Sequence, residues 1–246
     1  MNQVTQWIES DQLEPPGTIG ILGAGPLGIE AALYARSLGY HTTVFEAATV
    51  GQRLLEEPQL LLSVPFRHCS SPLGIAAIST QQPGRLLPLG NSTLQHREYL
   101  EHYLLPLSQT DLLIDSLRLG CRVSRIDVEP WDDASPTNDG NAEDLLPPDF
   151  CIHYQDETGL GSHSVECVID ASGTPCQSDL LAYPPLQYDP SKSTHSDLAT
   201  GVPYLFRIGA RSKSSVSYLE GLEQIRRLFS ILFGRPSLDL YSNARY

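Results

Sequence analysis

Residues 18–28 read Thr18-Ile19-Gly20-Ile21-Leu22-Gly23-Ala24-Gly25-Pro26-Leu27-Gly28. The first five form a short apolar run of the kind a strand buried on both faces requires. Three glycines follow in the pattern G-x-G-x-x-G, and a helical stretch then runs to about Leu38. Gly39 stands where a left-handed residue ends a helix. His41-Thr42-Thr43-Val44-Phe45 reads as a second strand, closed by Glu46. The whole is a β-α-β unit. Gly28, Ala31, Ala32 and Ala35 fall at i, i+3, i+4 and i+7, so one helix face carries the smallest side chains and can lie close against a sheet.

Each glycine has a mechanical reading. Gly23 permits the tight turn out of the strand, Gly25 leaves room for a pyrophosphate against bare backbone, and Gly28 lets the helix pack closely. The helix N-terminus offers free N–H groups and a partial positive charge to an anion. Glu46 ends the next strand near the spacing of about 20 residues at which a carboxylate accepts hydrogen bonds from an adenosine ribose. That carboxylate also repels a 2′-phosphate, which disfavours NADP. The expected fold class is α/β, a Rossmann-like three-layer dinucleotide-binding domain with a β-meander.

Outward from this unit the chain divides unevenly. Residues 1–16 read as a loose lead-in, and residues 17–246 as a single domain. Residues 47–92 read as mostly irregular. Ser92 and Gln95 suggest a capping box for a helix to about Leu105, where Pro106 discourages continuation. A strand near Arg122–Val128 precedes an acidic, Pro- and Asn-rich hairpin insertion at 131–149. Alternating Phe150, Ile152, Tyr154 and Val165, Cys167, Ile169 then complete a three-stranded meander. A Pro/Ser/Tyr-rich connection occupies 174–203. The last helix runs from about Ser217 to Phe233, with Tyr218, Leu222, Ile225, Phe229 and Leu232 as its buried stripe.

Composition excludes several classes. The 16 basic and 29 acidic side chains give a net charge of −13, and such a field repels phosphate backbones, so no nucleic acid is expected as partner. With 41% hydrophobic residues the chain can build a core. No apolar run reaches the ~20 residues that cross a bilayer, and no basic-then-apolar leader opens the chain. The expectation is therefore a cytoplasmic protein with no membrane partner. The five cysteines are widely spaced without a C-x-x-C pair, and the seven histidines form no H-E-x-x-H, so no disulfide framework and no metal site is expected. The absence of G-x-S-x-G removes the simplest hydrolase reading.

Three ordered pieces, ILGAGPLGIEAALYARSLGYHTTVFE, VIDASGTP and YLFRIGA, resemble the FAD-binding domain of the flavoproteins that include pyridine nucleotide-disulfide reductases and flavin-containing monooxygenases. The resemblance runs from residue 18 to about 233, and its first piece is the specific one. It implies FAD as cofactor, with Gly23, Gly25, Pro26, Leu27 and Gly28 at the pyrophosphate and Glu46 at the ribose. It further implies Val123 near the adenine and Ser172 and Gly173 beside the central portion. Gly209 and Ala210 would lie near the ribityl chain, and the final helix would aim its N-terminus at the flavin. There a positive dipole end favours a reduced, anionic ring.

The departures from that pattern carry their own expectations. The acid that usually follows the glycine of the third piece is replaced by Ala210, which weakens FAD retention. The glycine pair usual after the ribose acid appears as Gly51-Gln52-Arg53, with Arg53 assigned a compensating phosphate contact. No second G-x-G-x-x-G occurs, so the connection at 174–203 stands in place of a nicotinamide domain. Electrons must then come from an external reductant, from a small-molecule substrate or from a partner protein.

The leading expectation is a small FAD-dependent oxidoreductase. An NAD(H)-binding dehydrogenase or sensor is the alternative, because NAD presents the same ADP ribose. A non-catalytic scaffold with a decayed site is the third reading. No catalytic residue is assigned. Cys176 and the pair His68-Cys69 are reactive candidates, outweighed by packed thiols and a loop histidine. Arg67, Arg85 and Arg97 could meet an anion but read first as solvated surface arginines. Tyr183, Tyr188 and Tyr204 could cover a cofactor or simply pack the connection.

Overall fold

The computed structural model describes residues 12–128, 150–173, 198, 200, 202, 204–209 and 217–242. The acidic insertion at 131–149, Cys176, Tyr183, Tyr188, Ala210 and nearly all of the 174–203 connection lie outside the described residues.

A parallel five-stranded sheet, in the order β3-β2-β1-β7-β8, forms the middle layer. Its strands are β1 (Thr18–Leu22), β2 (His41–Phe45), β3 (Leu117–Arg118), β7 (Cys167–Asp170) and β8 (Leu205–Arg207). The first strand pairs in register with both β2 and β7, Ile21 opposite Val44 on one side and Ile169 on the other. All three side chains are fully buried, as strands covered on both faces must be.

Helix α1 (Pro26–Ser37) joins β1 to β2, and every residue from Gly28 to Ala35 is buried. Its small-residue face does what the spacing predicts. On the same side lies the last helix, α6 (Tyr218–Leu232), whose Phe229 ring stacks on Tyr34 of α1 at 5.1 Å. Ser217 caps α6 in a reciprocal box with Glu220. The opposite layer is an antiparallel meander of β4 (Arg122–Val128), β5 (Phe150–Asp156) and β6 (Gly159–Val165). A Cβ on Gly20 would meet Ile152 at 2.6 Å and Val165 at 3.2 Å, so the two sheets touch where β1 lacks a side chain. The α/β fold class and the presence of a meander are as the sequence leads one to expect, but the meander's third strand is Gly159–Val165, and Cys167 and Ile169 belong to β7 of the parallel sheet.

Three further readings need amending. The segment 47–92 is mostly irregular, as expected, but not throughout. It carries α2 (Gln52–Glu56) and the ten-residue α3 (Pro72–Gln81), whose N-cap Ser71 accepts from the Gly74 amide. Pro72 and Gly74 look like punctuation in sequence, but Pro72 occupies the first helical turn, where its missing N–H is harmless.

The second correction concerns the helix after it. The capping box is Gln95 with Glu98, not Ser92 with Gln95, and it opens α4 (His96–Tyr99). Pro106 does not end that helix. One wide π turn over Leu100–Leu104 moves the Leu105 amide onto the Leu100 carbonyl, and α5 (Leu105–Ser108) continues through the proline.

Finally, Leu13 anchors the end of the expected lead-in. Leu13 is buried, its amide bonded to the Leu232 carbonyl and its carbonyl to the Tyr40 hydroxyl.

Candidate functional site

Three chain segments meet at the C-terminal edge of the sheet. Gly23 leaves β1 with φ +96°, in the left-handed region, and its amide donates to the Phe45 carbonyl at 2.8 Å. A Cβ there would stand 3.1 Å from the Ala171 oxygen and the Ser172 Cα, at the exit of β7. Gly28 sits closer still, since a Cβ on it would fall 1.9 Å from the Gly23 carbonyl oxygen. Gly25 is the reverse case, with nothing among the described residues within 4 Å of its added Cβ. It is the extended N-cap of α1, no side chain caps the helix there, and Pro26 brings no N–H. First-turn amides with no side-chain cap among the described residues therefore adjoin open space, the arrangement that takes an anion.

Glu46 braces this loop. Its Oε2 accepts from the Ala24 amide and its Oε1 from the Ala48 amide, both at 2.9 Å. Both oxygens keep a second acceptor direction, so a ribose hydroxyl can still be received. The loop is held a second time by the Gly51 amide, which donates to the Ala24 carbonyl at 2.9 Å. Arg53, two residues on and exposed, places its guanidinium Nη1 3.2 Å from the Gly173 carbonyl. It thus spans from α2 to the end of β7, beside the glycine turn.

Ser172 donates through its amide and hydroxyl to Asp170 Oδ1, while Asp170 Oδ2 pairs with Arg207 at 3.2 Å. Neither Asp170 nor Arg207 is singled out by the sequence, although Asp170 stands inside the second resembling piece. Gly209 donates its amide to the side chain of buried Gln224 at 2.9 Å. Leu27 turns its side chain into α6, where Cβ atoms on Gly209 and Gly221 would come within 2.9 and 2.5 Å of it. The Leu27 side chain thus packs helix against helix, so that residue has its backbone to offer the site, and the Gly209 amide is engaged by Gln224.

Val123 is half-buried in β4 opposite Tyr154. The Cys121 amide, two residues earlier, donates to the Glu46 carbonyl at 2.8 Å.

Other candidates sit elsewhere. Burial pushes the Cys69 thiol up to about 11, where it is no nucleophile. Arg67 bonds Asn91 and His68, Arg85 bonds Gln82 and the Glu101 carbonyl, and Arg97 pairs with Glu101. Tyr204 is buried, its hydroxyl 3.3 Å from the Gln12 carbonyl, and so packs residue 12 of the lead-in against the domain. Among the described residues no helix is long and apolar enough to cross a membrane.

The class that fold and loop define is a Rossmann-like α/β domain with an open glycine turn at the head of its first helix. No protein-family model matches the chain, and no curated protein matches it. Among solved structures it is similar to the bacillithiol disulfide reductase Bdr (YpdA) from Bacillus cereus, at 14% identity and TM-score 0.45, over 64% of this chain and 40% of that one. It is also similar to S-allyl-L-cysteine S-oxygenase from Allium sativum, at 16% identity and TM-score 0.44, over 63% and 36%. A third is OTEMO in complex with FAD and NADP, at 17% identity and TM-score 0.44, over 68% and 27%. The chain thus matches less than half the length of each.

Proposed function

We propose that this chain is a dinucleotide-binding oxidoreductase domain, with FAD as its cofactor. One observation carries the reading: the open space at Gly25, against an uncapped helix N-terminus, next to a carboxylate braced at Glu46. These features suit the ADP half of the cofactor. Backbone amides would take the diphosphate, Arg53 would neutralise it, and Glu46 would receive a ribose hydroxyl. Bound FAD would supply electron-transfer chemistry. This chain's own part would be to grip and orient, with electrons arriving from an external reductant.

The flavin half fits less well. Gly209 has given its amide to Gln224, and Leu27 fills the space between α1 and α6. That observation favours the alternative in which NAD(H), or another ligand gripped through its ADP half, occupies the site. Native purification followed by mass spectrometry and visible absorption tests the first reading. Calorimetric titration with FAD, NAD⁺ and ADP separates the two. FAD binding no tighter than ADP would remove the flavin from the proposal, and no binding of any of the three would remove the site.

A further inference from the structure

Glu30 is the anomaly of the molecule. It sits in the middle of α1 with 0% exposure, amid a mainly apolar and aromatic core. Its Oε2 takes one long hydrogen bond, 3.3 Å from the Tyr218 hydroxyl. Oε1, like the hydroxyls of Tyr99 and Tyr241, makes no hydrogen bond of normal geometry among the described residues. A bare carboxylate in such a place is costly, so the neutral acid is the form that packs.

Every element around it contributes a group. From the turn before α3 come Cys69 and Ser71, and from the helix through Pro106 come Tyr99 and Tyr103. The first residue of α6 contributes Tyr218, and residues 238–242 contribute Tyr241. Burial drives the three phenols of Tyr99, Tyr103 and Tyr218, and that of Tyr241, well above their usual range, and pushes Cys69 up to about 11. At the rim lie Arg226, Glu223 and Asp239. The first two are paired to each other, and Asp239 accepts from the Tyr241 and Ser242 amides. Of the groups facing it directly, Glu30 alone titrates near neutrality. Burial raises its carboxyl from 4.5 to about 7, against the pull of the Ser71, Tyr241 and Tyr218 hydroxyls.

The covers around it differ in strength. Three of them are helical segments or their caps, locked into the core. The fourth, residues 238–242, is irregular and half-exposed. It is tied to the body through the Leu240 amide on the Tyr34 hydroxyl at 3.1 Å and an edge-on contact of Tyr241 with Tyr34 at 5.1 Å. We propose that Glu30 is a proton-operated latch: as a neutral acid it holds residues 238–242 down on α1, and loss of its proton to water lifts that segment. The lifted state admits water to Oε1, which the other described covers do not do without unravelling a helix.

The sign follows from linkage. Opening hydrates Glu30, returns it to an ordinary carboxylic acid and releases its proton, so opening is favoured as pH rises from 4.5 towards 7 and gains nothing beyond. Hydrogen exchange read at the Leu240 amide of the full chain, corrected for the intrinsic pH dependence, measures this directly. Protection should fall roughly ten- to a hundredfold between pH 5 and 7 and level off above. Low urea should leave Leu240 exchange unaffected while speeding that of Ile169 in the central sheet, because a local lift exposes little surface. Glu30→Gln should flatten the pH dependence. Three results overturn the latch: constant protection from pH 5 to 7, the same fall in Glu30→Gln, or urea sensitivity at Leu240 equal to that at Ile169. Should Glu30→Gln not fold, the pH and urea series on the natural protein decides alone.

Discussion

The Glu46 carboxylate accepts the Ala24 amide at 2.9 Å and so ties the end of β2 to the glycine loop that leaves β1. The acid shapes the loop before any ligand arrives. Glu46→Gln keeps one acceptor and sets an NH₂ group near backbone amides, losing a charge-assisted bond of about 1.5–3 kcal/mol. Dinucleotide affinity should fall by roughly ten- to a hundredfold, together with a drop in melting temperature of the ligand-free protein. An unchanged ligand-free melt would mean that the brace is not structural.

The glycines separate packing from binding. Gly28→Ala places a methyl 1.9 Å from the Gly23 oxygen and should cost about 1–3 kcal/mol or more through overpacking, visible in denaturant unfolding without ligand. Gly25→Ala meets nothing among the described residues within 4 Å and has φ −73°, so its stability should match the parent. Its methyl nonetheless enters the space assigned to the diphosphate, and calorimetry should show dinucleotide binding weakened at least tenfold. Equal affinity in Gly25→Ala would place the ligand elsewhere.

These positions explain how far the sequence could be read. A strand, a turn with positive φ and a close helix crossing each restrict the chain locally, so Gly23, Gly25, Gly28 and Glu46 announce themselves by spacing. Helix α3 hides because Pro72 and Gly74 look like breakers until Ser71 is seen capping them. Pro106 misleads because a π turn absorbs it. Glu30 is invisible for a deeper reason. Its burial depends on Tyr99, Tyr103, Tyr218 and Tyr241, which only the tertiary fold brings to one place, and a glutamate in a helix ordinarily faces water.

Stability should follow Glu30. A carboxyl raised from 4.5 to about 7 by folding holds its proton where the unfolded chain has lost it. Its contribution is therefore intact below pH 4.5 and declines as pH rises to about 7, by about 3 kcal/mol on an order-of-magnitude basis. Urea midpoints measured across pH 4.5–8 should fall through that window and then flatten, once the opposing trends of other groups are removed by comparison with Glu30→Gln. Midpoints that run parallel in the two proteins would show that Glu30 titrates normally.

Arg53 offers the cleanest separation of charge from structure. Its side chain is exposed and, among the described residues, makes one bond, to the Gly173 carbonyl at 3.2 Å, so Arg53→Ala should change unfolding stability by no more than ~0.5 kcal/mol. If the guanidinium neutralises a diphosphate, the variant should bind ADP and FAD about tenfold less tightly, and by the same factor, since both carry that group. The loss should shrink at high salt, because screening removes what the mutation removes. A loss for FAD alone would move Arg53 from the diphosphate towards the flavin half, and a loss for neither would leave the helix N-terminus to hold the anion unaided.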